Sequence, residues 1–337
     1  MAQPKQDLTF SFIIPVYNRP DEVDELLYSM ASQTQLDFDI VIVEDGSEIT
    51  CEDICDKYRD DLEINYYYKP NSGPGQSRNY GYKRASGNYC IFLDSDCVMP
   101  TKYFEVVYRE LTKNYVDAFG GPDEAHEDFS DLQKAINYSM TSFFTTGGIR
   151  GSSEKLDKFH PRSFNMGYSR EVFDQTDGFA KMRFGEDIDM SIRILKNGFK
   201  TRLIKDAFVY HKRRTNFKQF FKQVYNSGIA RINLFKRHPQ SLKLVHLLPM
   251  VFTLGNILLL ILGLSISVIF LIPILVYMLM VFIDSTAKNT SFKIGLMSLI
   301  TSYIQLFAYG FGFMKAVWKR LILGKDEFAA YEKTFYD

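Results

Sequence analysis

Residues 89–96 read YCIFLDSD, an apolar run that ends abruptly in two carboxylates, Asp94 and Asp96. The run has the composition of a buried strand, and an unpaired charge inside such a strand costs several kcal/mol. The two acids therefore belong just past its end, at the sheet edge where α/β folds bind ligands. Two carboxylates this close repel each other unless a divalent cation holds both ionised. The alternative interpretation is that they only cap a turn.

Short apolar runs alternate with amphipathic segments on either side of this stretch. We predict strands at 10–16, 39–43, 64–69, 118–121, 200–204 and 207–210. Helices are predicted at 20–32, 51–59, from the turn at 71–75 to Ala85, and from Gly185 to about Lys196. This alternation predicts an α/β fold with a parallel sheet. The polar, Gly-rich part of residues 123–160 is interpreted as a mobile loop.

The formal net charge is zero, but the two parts of the chain are oppositely charged. Residues 1–206 contain 24 Lys+Arg and 35 Asp+Glu, whereas residues 207–337 contain 16 and 5. A positive C-terminal part indicates contact with something anionic. The four cysteines fit a reducing compartment, and no zinc spacing is present among them.

The C-terminal part also carries the long apolar runs. Residues 244–283 lack any acid, and a bilayer crossing needs about 20 apolar residues. We predict two spans, near 244–263 and 265–283, and a third span or re-entrant segment at 294–314. Residues 212–243 mix Lys and Arg with aromatic residues, which predicts basic amphipathic helices on an anionic leaflet rather than a nucleic-acid surface.

Basic residues flank the whole apolar region, at Lys243 before it and at Lys315 to Lys325 after it. The positive-inside rule places both flanks in the cytosol, which two crossings satisfy and three do not. Residues 1–7 are polar and the following apolar stretch is short, so no signal peptide is predicted. We therefore expect a catalytic domain at 1–211 that faces the cytosol on the cytoplasmic (inner) membrane, interfacial helices at 212–243, a membrane region at 244–323 and a tail at 324–337.

Four segments in order carry a resemblance to a known family. They are residues 14–19 (IPVYNR), 43–47 (VEDGS), 71–96 and 185–187 (GED). Over residues 8–235 the chain resembles glycosyltransferase family 2, inverting enzymes with the GT-A fold. That resemblance implies an α/β fold with a Rossmann-like mixed sheet, a nucleotide-sugar donor and a divalent metal, Mn²⁺ or Mg²⁺.

The chemistry of such a transfer agrees with the residues. A cation must stabilise the diphosphate leaving group, and a separate base must take the proton of the acceptor hydroxyl. The resemblance assigns the metal to Asp96, with His211 as a second candidate ligand whose alternative is a structural role. Relatives often have a third carboxylate where this chain has Cys97. Residues expected to bind the nucleotide-sugar are Pro15, Tyr17, Arg19, Asp45, Arg78, Asp94 and Ser95.

The resemblance places the general base at Asp187, which we favour over Glu186. Both precede a predicted helix, whose N-terminus stabilises anions. The alternative is that they only cap that helix, and Arg193 is expected to be an ion-pair partner within it. Asn165, Gly167 and Tyr168 match a loop that shapes the sugar and acceptor pocket in relatives.

We therefore predict a metal-dependent inverting glycosyltransferase that moves a sugar to a lipid-linked or glycan acceptor in cell-surface glycan assembly. Transfer to a polyprenyl phosphate is the main alternative, since such an acceptor is already ionised and needs no base. A processive synthase would carry more spans, and a sugar nucleotidyltransferase would begin with a Gly-rich signature that is absent here. A non-catalytic nucleotide-binding scaffold is the alternative from another class.

Overall fold

The computed structural model describes residues 7–124, 129–147, 159–212 and 214–330. These residues group into two compact units. The N-terminal unit contains residues 7–124 and 159–212, and the C-terminal unit contains residues 129–147 and 214–330. Elements are numbered along the chain through both units.

The N-terminal unit is built on a seven-stranded sheet and a small three-stranded sheet. The strands are β1 (Phe10–Val16), β2 (Phe38–Asp45), β3 (Glu63–Lys69), β4 (Tyr89–Leu93), β5 (Cys97–Val98), β6 (Ala118–Gly120), β7 (Asp123–Glu124), β8 (Asn165–Ser169), β9 (Thr201–Leu203) and β10 (Val209–His211). The large sheet has the order β3-β2-β1-β4-β8-β6-β9. Its strands are parallel except β8, which runs antiparallel to both β4 and β6. The predicted α/β class is confirmed. The sheet is mixed, as the family resemblance implied, and not wholly parallel, as the alternation of strands and helices alone predicted.

Helices cover both faces of this sheet, as expected for strands that are apolar throughout. They are α1 (Pro20–Ala31), α2 (Glu52–Lys57), α3 (Pro74–Tyr82), α4 (Tyr103–Lys113), α7 (Arg170–Thr176) and α8 (Glu186–Lys196). Side chains of β1 alternate between the two layers: Phe12 joins the core under α1, α2 and α4, whereas Ile13 joins the core under α3, α7 and α8. The carboxyl ends of β1, β2 and β4 therefore lie side by side at one edge.

The C-terminal unit is helical among its described residues. Its helices are α5 (Asp131–Thr141), α6 (Phe143–Thr146), α9 (Phe217–Arg237), α10 (Leu248–Ser265), α11 (Ile272–Asn289) and α12 (Phe292–Ala316), which continues into a π-helical turn (Val317–Ile322). By length and composition, three helical segments could cross a membrane: Leu244–Ser265, Val268–Asn289 and Phe292–Ile322. The third is one continuous helix through Gly310 and Gly312, so these glycines do not bend it into a hairpin.

Helix α5 belongs with the C-terminal helices, although it lies in the chain between β7 and β8. Thr301 Oγ1 donates to the carbonyl of Ala135 over 2.9 Å, and Tyr138 Oη lies 2.7 Å from Asp284 Oδ2. Asp284 is the single acid between Asp206 and Asp326. The sequence analysis placed these residues in the catalytic domain and predicted no helix there. Of the predicted mobile stretch, residues 143–146 are helical and residues 148–158 lie outside the described part of the chain.

The apolar face of α9 is covered by α12. A Cβ on Gly228 would lie 2.3 Å from the carbonyl oxygen of Tyr309, and one on Gly312 would lie 2.1 Å from that of Tyr225. These two glycines let the helix backbones approach closely. The apolar face of α9 thus packs against protein, and contact of its basic residues with an anionic leaflet stays a prediction.

Candidate functional site

The two carboxylates that opened the sequence analysis lie at the end of β4, the central strand of the large sheet. The strand ends at Leu93, and Asp94 and Asp96 follow it in the chain. The Asp94 side chain is 31% exposed and that of Asp96 12% exposed, whereas Ser95 is buried. The acids are therefore at the sheet edge, where the sequence predicted them.

The small sheet brings His211 to Asp96. Strand β10 pairs antiparallel with β5, which sets His211 opposite Cys97, and the Lys212 N–H donates to the Asp96 carbonyl over 3.1 Å. Nε2 of His211 lies 3.0 Å from Asp96 Oδ1, and the imidazole stacks on Phe164. The chain thus joins two candidate ligands that are 115 residues apart.

A carboxylate and an imidazole in this arrangement fit Mn²⁺ better than a soft metal. The Cys97 Sγ also lies within 4.8 Å of both candidate ligand atoms. Burial and the neighbouring carboxylates raise the pKa of this thiol well above its usual value, and thiolate ligands favour softer metals than Mn²⁺ or Mg²⁺. Asp96 and His211 are the residues that could hold a divalent metal, with the remaining ligands coming from water or a bound diphosphate.

The loop after β1 reaches the same place. Arg19 precedes α1, and its Nη1 lies 3.3 Å from Asp96 Oδ2 and 3.1 Å from Glu22 Oε1. Pro15 lies inside β1, where it pairs with Val43 of β2, and it is half-buried. Tyr17, also half-buried, follows directly after the strand. The structure therefore brings Arg19 to the carboxylates and sets Pro15 and Tyr17 at the same edge.

Asp45 ends β2 and organises the loop that opens α3. Its two carboxylate oxygens accept the backbone N–H groups of Ser72 and Gly73, each over 2.9 Å, and Lys69 Nζ forms an ion pair with it. Gly46 follows with φ +76°, and a Cβ there would lie 2.7 Å from the backbone nitrogen of Asn71. In this structure Asp45 thus fixes a turn, and its predicted contact with a nucleotide base stays a prediction.

Arg78 connects the two halves of the candidate site. This buried side chain on α3 directs Nη2 to Asp94 Oδ1 at 2.6 Å and Nη1 to Glu186 Oε1 at 3.1 Å. One guanidinium group thereby contacts both Asp94, which follows β4, and Glu186, which begins α8. Arg78 was expected to bind the nucleotide-sugar, and its observed partners are carboxylates.

Glu186 and Asp187 begin α8 and differ in electrostatic environment. Burial and the charge of Asp187 raise the pKa of Glu186 to about 7, although Arg78 opposes this. Burial alone would also raise the pKa of Asp187, but Arg162 outweighs it and lowers that pKa. Nε of Arg162 lies 2.7 Å from Asp187 Oδ2, and Oδ1 accepts the Ile188 N–H over 2.8 Å. Arg193 pairs with Asp189 on the same helix at 2.8 Å, so its predicted role is confirmed.

The three predicted pocket residues are inside the sheet. Asn165, Gly167 and Tyr168 lie in β8, which pairs with β4 and β6, and their role in the sugar and acceptor pocket stays a prediction. Tyr168 is fully buried and stacks on Phe92. The Asn165 amide accepts from Tyr103 Oη at 2.6 Å and donates to the Ala207 carbonyl at 2.8 Å. These contacts give the side chains a structural role in the core.

The sequence analysis missed several residues at this edge. Arg162 lies in no recognised motif, and only its contact with Asp187 identifies it as part of the candidate site. Asn18 was part of a quoted motif, but its left-handed φ of +51° and its contacts with the Glu48 and Ile49 N–H groups were not foreseen. Lys69, the last residue of β3, forms an ion pair with Asp45. Arg183 approaches the turn before α3, since its Nη1 would lie 3.1 Å from a Cβ on Gly73. A lysine at the carboxyl end of a strand beside β2, which ends at Asp45, was the available signal for the first of these contacts.

Comparisons with known proteins agree with this geometry. Residues 11–176 match the family model described as "Glycosyl transferase family 2". An uncharacterized glycosyltransferase of Rickettsia felis is 37% identical over 143 residues, which cover 42% of this chain and 23% of that one. The uncharacterized glycosyltransferase EpsJ of Bacillus subtilis is 24% identical over 213 residues, 61% of each chain. The chain thus spans about a quarter of the length of the first relative and about three fifths of the second.

A solved structure resembles nearly the whole chain. The mannosyltransferase PcManGT from Pyrobaculum calidifontis, in complex with GDP-Man and Mn²⁺, aligns with a TM-score of 0.65 at 14% identity and covers 94% of this chain and 89% of that one. At this identity the likeness concerns the fold. The N-terminal unit is a GT-A-type domain, followed by long apolar helices. Residues 11–176 form a glycosyltransferase family 2 domain.

Proposed function

We propose that this protein is a metal-dependent inverting glycosyltransferase that moves a sugar from a nucleotide-sugar donor to a lipid-linked or glycan acceptor. The observation that carries the proposal is the Arg78 bridge, which holds Asp94 after β4 next to Glu186 at the start of α8. The proposed base, Asp187, follows Glu186 directly, so the bridge brings the base-bearing end of α8 towards the donor-side acid, as attack by one hydroxyl on the donor sugar requires. Such a displacement inverts the anomeric centre.

Each residue has a role in this proposal. Asp96 and His211 hold the metal, which when bound stabilises charge on the diphosphate leaving group. Asp94 contacts the ribose, and Asp187 takes the proton of the acceptor hydroxyl. The match to the family model supports these roles, as does a neighbour of the same fold whose structure contains GDP-Man and Mn²⁺. The apolar helices would hold the site near a lipid-linked acceptor at the cytosolic face of the inner membrane.

One observation favours the second candidate, transfer to a polyprenyl phosphate. Asp187 is already paired with Arg162, which weakens it as a base. An acceptor phosphate is ionised before it binds and needs no base. The Asp187→Asn variant separates the two candidates, because it would keep most activity only with such an acceptor.

The experiment that tests the proposal uses the full chain in detergent. UDP-, GDP- and dTDP-sugars would be supplied with Mn²⁺, with Mg²⁺ and with EDTA, and release of the nucleotide would be measured. We expect release from one donor that EDTA and the Asp96→Ala variant both abolish. If no nucleotide is released and none binds in the presence of metal, the result contradicts the proposal.

A further inference from the structure

Helix α12 has the composition of a membrane span, but its surroundings differ from those of α10 and α11. In its most apolar 18-residue window 44% of the residues are buried inside the protein, against 11% in each of the other two. Polar helices accompany it along its length. Near its start Lys293 pairs with Asp131 of α5 at 2.7 Å, and near its end Lys236 of α9 donates to the Arg320 carbonyl at 3.5 Å.

The helices that cover α12 could not accompany it through a hydrocarbon core. Five cationic side chains lie on α9: Lys218, Lys222, Arg231, Lys236 and Arg237. Each such charge at the centre of a bilayer costs about 2.5–3.5 kcal/mol on insertion scales. Because α9 follows the second half of α12 closely, through Gly228 and Gly312, a position of α12 across the bilayer would carry these charges into it.

The lipid-compatible surface of α12 is one narrow stripe. Exposed apolar side chains recur on it at helical spacing: Leu296, Ile300, Phe311 and Trp318. Partly buried Tyr303 and Phe307 continue the same stripe and touch Phe252 of α10. An apolar stripe with aromatic residues, opposite a charged surface, is the pattern of a helix that lies in the plane of the interface.

The α10–α11 hairpin differs from α12 because the apolar side chains at its tip are exposed. Its contacts with α12 fall at residues 249–256 of α10 and 277–286 of α11, for example Thr253 with Leu306 and Ser285 with Ser298. Beyond these contacts, towards the turn, the exposed apolar residues are Ile257, Leu258, Leu260, Ile261, Leu264, Ile266, Val268, Ile269, Ile272, Leu275 and Val276. Helix α12 therefore crosses the base of the hairpin, and the tip is free to enter lipid.

The described part of the C-terminal tail lies on the side where the apolar region begins. Glu327 pairs with Arg237 of α9 at 2.9 Å, the Phe328 carbonyl accepts from Asn233 at 3.2 Å, and the Ala330 N–H donates to Asn226 Oδ1 at 2.9 Å. Helix α9 precedes the first apolar segment and the tail follows the last. An odd number of crossings would separate them.

We propose that only the α10–α11 hairpin enters the bilayer, and that α12 lies in the membrane interface with its apolar stripe on the lipid. This arrangement puts Lys243, Lys288 and Lys325 on one face, so the positive-inside rule is satisfied without a third crossing. The inference goes beyond the proposed function and holds whichever sugar is transferred.

The first test places single cysteines in the full chain, in oriented membrane vesicles, after the four buried native cysteines have been replaced by serine. Lys243→Cys and Lys325→Cys are treated with a membrane-impermeant maleimide from each side. We expect both to be labelled from the same side. Labelling from opposite sides would overturn the proposal.

The second test measures depth and does not depend on the first. Trp318 is the single tryptophan of the chain, so Ile300→Trp and Phe311→Trp in a Trp318→Phe background report two further points on α12. Quenching by lipids brominated at defined depths should put all three at the same shallow depth. A crossing helix would put residue 311 about 10 Å deeper than residue 318, since they are seven residues apart and each residue rises 1.5 Å. Leu258→Trp and Val251→Trp on α10 are the matched controls and should differ in depth by about 10 Å.

Discussion

Nη1 of Arg78 lies 3.1 Å from Oε1 of Glu186, so an arginine of α3 is tied to the first residue of α8 across 108 positions of the chain. The same guanidinium holds Asp94 through its other nitrogen. Because the side chain is buried, its positive charge requires these carboxylates, and their negative charges require it. Donor-side and base-side parts of the candidate site are thus one electrostatic unit.

Replacing Arg78 by methionine should destabilise the N-terminal unit by about 3–5 kcal/mol, because it leaves the buried Glu186 and the partly exposed Asp94 without their counter-charge. Thermal unfolding in detergent would measure the loss. Arg84→Met is the matched control, since that arginine lies over the rings of Tyr67 and Tyr80 and away from the carboxylates. Equal losses for the two variants would contradict the role assigned to Arg78.

The raised pKa of Glu186, about 7, gives stability a definite dependence on pH. Between the unfolded value near 4.5 and about 7 the folded protein holds a proton that the unfolded chain has released. The free energy of unfolding from this group is therefore highest below pH 4.5 and falls as the pH rises, by up to about 1.4 kcal/mol per pH unit. Asp187 acts in the opposite sense, because its lowered pKa adds stability that is lost only at low pH.

The Glu186→Gln variant checks this prediction. Its melting temperature, followed from pH 5 to 8 and compared with the unmodified protein, should fall less as the pH rises. Glu63→Gln on an exposed part of β3 is the control and should leave the pH dependence as it was. A Glu186→Gln protein with the original dependence would show that another group titrates.

The Arg162–Asp187 pair should set the acid limb of activity. Arg78, Arg162 and Glu186 are the charged groups around Asp187, and Arg162 is its hydrogen-bonded partner. In Arg162→Gln the pKa of Asp187 rises, so the acid limb of kcat/KM moves to higher pH. Asp187→Asn should lose about 10²- to 10⁴-fold in kcat if the acceptor is a hydroxyl.

Arg193→Gln is the control for this pair, because it breaks a similar Arg–Asp pair on the same helix. It should lower stability without moving the pH profile. An unchanged profile in Arg162→Gln would show that Asp187 is not the titrating base.

Much of the N-terminal unit could be predicted from the sequence. Strand β1 was predicted at its observed bounds and α8 within one residue, because buried strands and a capped helix have strong local patterns. Asp96 and His211 were selected as ligands by the family resemblance, but their contact depends on the pairing of β5 with β10, each only two or three residues long. Such short strands have no periodicity to detect.

Other features of the structure could not be predicted from short stretches of sequence. Helix α5 has a capping box at Ser130 and Gln133, but its partners are far along the chain in α11 and α12. Gly310 and Gly312 serve close helix packing, and the partners that they contact, α10 and α9, lie far away in the chain. Arg162 belongs to the site only because of a tertiary contact. In each case the feature depends on contacts between residues that are far apart in the chain.

The packing of α9 on α12 should be intolerant of a single methyl group at Gly228. A Cβ there would lie within 2.8 Å of two backbone atoms of α12, so the helices must separate. Gly228→Ala should cost about 1–3 kcal/mol, measured by thermal unfolding in detergent. Gly255→Ala on α10 meets nothing within 4 Å and should be neutral or stabilising by about 0.5–1 kcal/mol. Similar costs for both variants would contradict the close packing.

The central claim is that Asp96 and His211 hold a divalent metal that binds a nucleotide diphosphate. The most direct measurement is calorimetric binding of UDP and GDP to the full chain, with Mn²⁺ and with EDTA, for the unmodified protein, Asp96→Ala and Asp56→Ala. Asp56 is exposed and pairs only locally with Arg59 among the described contacts, so it serves as control. The account predicts that one nucleotide binds with Mn²⁺, and that EDTA and Asp96→Ala each weaken binding by at least about tenfold while Asp56→Ala does not. Equal affinity with and without metal, or an Asp96→Ala protein that binds normally, would contradict it.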